Sequence, residues 1–165
     1  LSLARAAESR VLEAYTIGLR GTIAREVGDL VTARRDLEEC VAMERAMPTG
    51  YERASNLVEI ALTLVEAGAL DDASRVLAEL EALPAEERAT MMWPQFVPYV
   101  LYRYLQARGD EQGAARELAR ASDLLDEQCA RLPEETWRRR FNNSLVNRRI
   151  RAAAVPRSTE QSSVV

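Results

Sequence analysis

The sequence predicts an all-α domain on three observations. Ala, Leu, Glu and Arg dominate its 165 residues, and all are strong helix formers. Only 7 Gly and 6 Pro are present, too little punctuation for a strand-and-turn architecture. Apolar residues recur at three- and four-residue steps over long stretches, the period of a helix with one buried face. A hydrophobic fraction of 47% beside 29% charge fits one globular domain with a continuous core.

Taken in order, residues 2–7 read as the end of an earlier helix, so the chain is expected to be one end of something larger. Residues 9–27 and 30–47 form a first helix pair, turned at Gly28 and closed by Pro48, Thr49 and Gly50. Residues 52–67 and 70–83 form a second pair, turned at Gly68. Pro84 to Trp93 is a longer connector with a helical turn expected in Ala85–Met91. Residues 95–108 and 111–131 form a third pair, turned at Gly109, and Pro133 opens a closing helix, Glu134–Ala154. The helical domain is thus expected over 1–154, with units at 9–47, 52–83 and 95–131. The Ser/Thr-rich tail, 155–165, is expected to be disordered.

The pairs repeat. Gly28, Gly68 and Gly109 are 40 and 41 residues apart. Each is followed five residues on by alanine (Ala33, Ala73, Ala114) and nine on by leucine (Leu37, Leu77, Leu118). Glycine supplies the left-handed cap that ends a helix, and Asp29 and Asp110 can start the next. The small alanine allows close helix approach. Apolar stripes then follow: Ala33, Leu37, Cys40, Val41 and Met47, interrupted by Glu44; Ala73, Val76, Leu77, Leu80 and Leu83; Ala114, Leu118, Ala121, Leu125 and Cys129. Both cysteines read as small buried hydrophobes. Units that cannot bury their own apolar face must stack on their neighbours.

The Gly–x4–Ala register, the apolar residue four later and the small Gly21 and Ala61 resemble the tetratricopeptide repeat family over about residues 9–131. The family's early tryptophan is missing: Ile17, Leu57 and Pro98 stand in its place. The resemblance implies tandem antiparallel helix pairs stacked as a right-handed superhelix, an α-solenoid. Long units such as REVGDLVTARRDLEECVAM, and a closing RRRFNNSLVNRRIRAA, are similar to the C-terminal repeat regions of large bacterial signalling ATPases and transcription regulators. By that resemblance the chain is a protein- or peptide-binding module at the scaffold or sensor end of such a regulator.

The resemblance also implies a concave face lined by the first helix of each pair. Its positions are Tyr15, Gly18, Thr22 and Arg25; Ser55, Val58, Leu62 and Val65; and Phe96, Tyr99, Arg103 and Gln106. They recur at three- and four-residue steps, so each set shares a helix face. Val58, Leu62 and Val65 are either an apolar surplus for a peptide partner or core. Phe96 and Tyr99 carry the same two readings. Trp93, in MMWPQF, either forms a contact edge or tucks back onto the stack.

All 22 basic residues are Arg, and Lys and His are absent. Imidazole acid–base chemistry, imidazole metal ligation, lysine Schiff bases and a phosphate-loop lysine are therefore excluded. The last 32 residues hold seven arginines (Arg138, Arg139, Arg140, Arg148, Arg149, Arg151, Arg157) against three glutamates; the remainder holds 15 arginines against 23 acids. Arginines paired to acids of preceding helices are expected there, and a nucleic-acid site is not, because the net charge is −4. Acid pairs such as Glu38/Glu39 and Asp71/Asp72 fall near helix starts or on outward faces. No catalytic constellation, cofactor or metal site is expected. Expected partners are a protein or peptide, including other domains of the same polypeptide. A groove receptor for a small molecule or signalling peptide and a structural or dimerising unit, including a homodimer, stay open. No run approaches the ~20 apolar residues of a membrane span, and a cytoplasmic location is expected.

Overall fold

The computed structural model describes residues 9–47, 53–89 and 91–155. The expected helix end at 2–7, the break at Pro48–Gly50 and the tail beyond Val155 lie outside them. Every regular element among the described residues is an α-helix: α1 (Arg10–Glu26), α2 (Leu30–Arg45), α3 (Arg53–Glu66), α4 (Leu70–Ala82), α5 (Ala85–Ala89), α6 (Phe96–Ala107), α7 (Glu111–Ala130), α8 (Glu135–Asn142) and α9 (Leu145–Ala154). The closest packed neighbours are α1 with α2, α3 with α4, and α6 with α7.

The same turn joins each pair. Gly28, Gly68 and Gly109 have φ of 87°, 74° and 78°, in the left-handed region. The amide after each glycine donates back to the carbonyl of Ala24, Leu64 or Leu105, and the glycine amide to Arg25, Val65 or Gln106. These two hydrogen bonds satisfy carbonyls that a helix end leaves open. Asp29 then accepts from the Thr32 amide and Asp110 from the Gly113 amide, while Ala69 has no capping side chain. A Cβ at Gly68 would meet nothing within 4 Å, so only backbone strain opposes a side chain there. Gly68→Ala is expected to cost about 1–2 kcal/mol. Denaturant unfolding should show a lower midpoint at unchanged slope.

The register of the units follows the sequence, but their stacking is not uniform. Across the first junction α3 packs chiefly on α2; across the second, α6 packs chiefly on α3 and only lightly on α4. The connector that holds α5 gives α6 the reach to cross over. Leu83 is extended before Pro84, as a residue preceding proline must be, and α4 stops there. The result is that α3 lies at the centre, with ten of its fourteen residues buried. A helix apolar on all sides belongs inside a core.

The expected closing helix is two helices. Asn143 ends α8, and Ser144, at φ −61° and ψ 149°, starts α9. Asn142, Asn143 and Ser144 favour caps over helix interiors. The bend is repaid by Asn147, which is fully buried. Its amide donates to the Phe141 carbonyl at 2.8 Å, and its oxygen accepts from Gln95 Nε2 at 2.8 Å. That pair fastens α9 to the start of α6, while Ile150 enters the core.

Candidate functional site

The structure sorts the expected concave-face residues into three groups. Tyr15 is exposed and Thr22 half-buried on α1. With Gly18, Leu19, Ser55, Asn56 and Glu59 they line a cavity of about 250 Å³ between α1 and α3, closed on one side by Met92 and Trp93 of the connector. Among the described residues lining it, Glu59 is the charged one.

Val58, Leu62 and Val65 form the second group, with Phe96 and Tyr99. None is more than 7% exposed, and all belong to the main hydrophobic cluster. Of their two sequence readings, the structure supports core. The crossing of α6 onto α3 puts them there, so they do not join the Tyr15 cavity. Tyr99 stacks against Phe96 and tilts against Tyr102, and Arg103 Nη1 lies 3.4 Å from the Tyr99 hydroxyl. Gln106 is exposed at the far end of α6.

Arg25 is the third case. Its side chain is 1% exposed, and it sits among three carboxylates: Glu26 at 2.5 Å, Glu59 at 3.0 Å and Glu66 at 3.7 Å. Arg149 of α9 reaches Glu26 at 3.1 Å and Glu66 at 4.0 Å. Three acids thus meet two cations, linking α1, α3 and α9. Burial pulls the Arg25 pKa down, but the three carboxylates outweigh it and hold the guanidinium above its ordinary value. Burial pushes the Glu59 carboxyl up despite the opposing pull of Arg25. Arg25 is therefore a structural cation and not a free groove contact.

A regular sequence signal marks these contacts. Arg25 bonds Glu59, Arg45 bonds Glu79 and Arg53 bonds Glu87, each pair 34 residues apart. Two of these pairs link the first unit to the second and the third ties α3 to α5, and they share an Arg–x33–Glu offset. Elsewhere, Glu44, the interruption in the α2 stripe, is buried and accepts from Asn56. Asp36 is buried and held by Arg20 and Arg35; the Arg20 hydrogen bond leads in keeping its carboxyl below the ordinary aspartate range. Cys40 is buried and Cys129 half-buried, and neither is in a disulfide.

Trp93 tucks back. It is 37% exposed and stacks on Phe141, with centroids 5.6 Å apart. At the basic end, Arg138 lies near Glu135, Arg149 joins the cluster above and Arg151 pairs with Asp126. Arg139, Arg140 and Arg148 are exposed and make no ion pair among the described residues. A second cavity, of about 390 Å³, lies among α4, α5, α6 and α7. Its walls include Leu77, Leu80, Val97, Leu101 and Leu124, with Arg88 and Arg120 also lining it. No helix among the described residues is long and apolar enough to cross a membrane, and none of their His, Cys, Asp or Glu side chains cluster as a metal site would require.

Comparison with protein-family models, with curated proteins and with solved structures finds no match to this chain.

Proposed function

We propose that the chain is a non-catalytic, protein- or peptide-binding repeat domain of the tetratricopeptide kind, with its groove between α1 and α3. The three glycine turns support a repeat of helix pairs, which this proposal stacks as a right-handed superhelix, altered at the second junction where α6 crosses onto α3. In this proposal the domain is the C-terminal scaffold or sensor part of a larger bacterial regulator, acting in the cytoplasm.

The observation that carries the reading is the groove itself. Tyr15 and Trp93 present aromatic rings to a cavity with Glu59 at its wall. Aromatic faces attract a cation, and Arg25 contacts Glu59 through Oε2, so an extended peptide offering an arginine or lysine to the rings is the fitting partner. Tryptophan fluorescence, in a Trp137→Phe background, is expected to change on titration with an arginine-containing peptide and not with its acidic counterpart. Glu59→Gln by the same titration, and Trp93→Ala by calorimetric titration because it removes the reporter, should each weaken binding by about tenfold with helicity unchanged, in line with one lost desolvated contact. Equal binding by all three proteins would sink the proposal.

A small-molecule receptor is the second reading, favoured by the cavity of about 390 Å³. That volume lies within the usual range of ligand pockets, and its apolar walls suit an apolar ligand.

A further inference from the structure

The irregular second junction leaves two apolar helix faces apart. At the first junction α3 packs chiefly on α2; at the second, α6 passes onto α3 and meets α4 only lightly. Leu77 and Leu80 of α4 and Val97 and Leu101 of α6 therefore line one cleft of about 390 Å³, which Leu124 of α7 also lines. Water in such a cleft wets apolar surface, and a hydrocarbon that displaces it is bound by the hydrophobic effect. The volume lies near the lower end of the roughly 300–1,000 Å³ usual for ligand sites, room for one hydrocarbon chain.

The charged residues of the lining point to the rest of the ligand. They are Glu81 of α4, Arg88 of α5 and Arg120 of α7, and all three are exposed. Arg88 makes no ion pair among the described residues. Arg120 meets Glu117 at 3.6 Å, longer than a hydrogen bond. Two guanidinium groups with donors to spare thus outweigh one carboxylate at the rim. Their planar forks match a carboxylate, and at an exposed rim that carboxylate stays partly hydrated.

We infer that this cleft takes a small amphiphilic acid, a single hydrocarbon chain against the leucine walls with its carboxylate at the Arg88 and Arg120 rim. The inference rests on the small-molecule reading and names its ligand class. It is independent of the groove between α1 and α3, whose lining shares no residue with the cleft.

Calorimetric titration of the full chain with decanoate should show one site. Octanoate, two methylenes shorter, should bind roughly fifteenfold more weakly, the effect of two buried methylenes. Decyltrimethylammonium, with the same tail and the opposite charge, should bind about tenfold more weakly than decanoate, and uncharged decan-1-ol should lie between them. Arg88→Gln and Arg120→Gln should each weaken decanoate by about two- to fivefold, the worth of an exposed ion pair, and Glu81→Gln should tighten it. These three side chains are exposed, so the variants should keep the parent's circular dichroism. Val97→Phe, which fills the cleft, should remove decanoate binding and leave the arginine-peptide titration unchanged. Decanoate binding that survives Val97→Phe overturns the inference. Decyltrimethylammonium or decan-1-ol binding as tightly as decanoate, with both arginine variants indifferent, overturns the acid and leaves the small-molecule reading standing. No binding by any of these ligands overturns both.

Discussion

Leu62→Asp is expected to abolish the cooperative unfolding transition of the domain at neutral pH. Leu62 is fully buried on α3, the helix that α2, α4 and α6 all pack against. Truncating a buried leucine costs about 2–5 kcal/mol through lost transfer energy and the cavity left behind. Asp adds an unpaired charge in a site without partners, worth several kcal/mol more. The sum approaches the roughly 5–15 kcal/mol that a domain has in total. Leu62→Met, nearly equal in volume, should cost less than about 1.5 kcal/mol and keep a sharp transition. Thermal or urea unfolding followed by circular dichroism reads both variants against the parent protein. A folded Leu62→Asp protein would mean that the α3–α6 contact is absent in solution and that Leu62 faces an open groove.

The second large effect concerns the buried charge cluster. Arg25→Met should destabilise by about 3–5 kcal/mol, because it leaves Glu59 without its hydrogen-bonded cation at the point where three carboxylates converge. For a chain of this length that is a drop of roughly 10 °C in Tm. Arg25→Met with Glu59→Leu should recover most of the loss, since removing both members of a buried pair costs far less than stranding one. A double variant no better than the single would show that packing, and not charge, explains the cost.

The same cluster sets a pH dependence. Glu59 titrates above the ordinary glutamate value of 4.5 when folded, because burial disfavours its charge. The native state therefore holds its proton at pH values where the unfolded chain has released it. Stability from this group is fully present below 4.5 and is lost as pH rises through the folded value. Asp36 works in the opposite sense. Its carboxyl is held low by Arg20, so its contribution is present above the ordinary 3.8 and lost as pH falls through its folded value. Glu59→Gln should therefore flatten the loss of stability above pH 4.5, read by thermal unfolding across pH.

Much of the local structure was legible from the chain. Gly28, Gly68 and Gly109 mark helix ends because left-handed backbone is strained for other residues, and that preference acts within a few residues. Asp29 and Asp110 cap α2 and α7 for the same local reason. The stripe through Ala33, Leu37, Cys40 and Val41 named the face that α2 buries. The closing helix was misread as continuous, because its apolar period runs on through Asn142, Asn143 and Ser144. Only the partners of Asn147, one of them 52 residues away at Gln95, make the bend favourable.

The feature that periodicity could not assign was the second face of α3. Val58, Leu62 and Val65 repeat at helical spacing whether they meet a ligand or another helix. A helix period says which residues share a face, not what lies opposite. The 40-residue repeat, the turns and the caps were set by the sequence through short-range sterics and hydrogen bonding. Tertiary structure alone decided that α6 would cross onto α3 and that Arg25 would be enclosed by Glu26, Glu59 and Glu66. Each of those outcomes depends on which distant surfaces meet, and their contact free energy is summed over residues that no local window contains together.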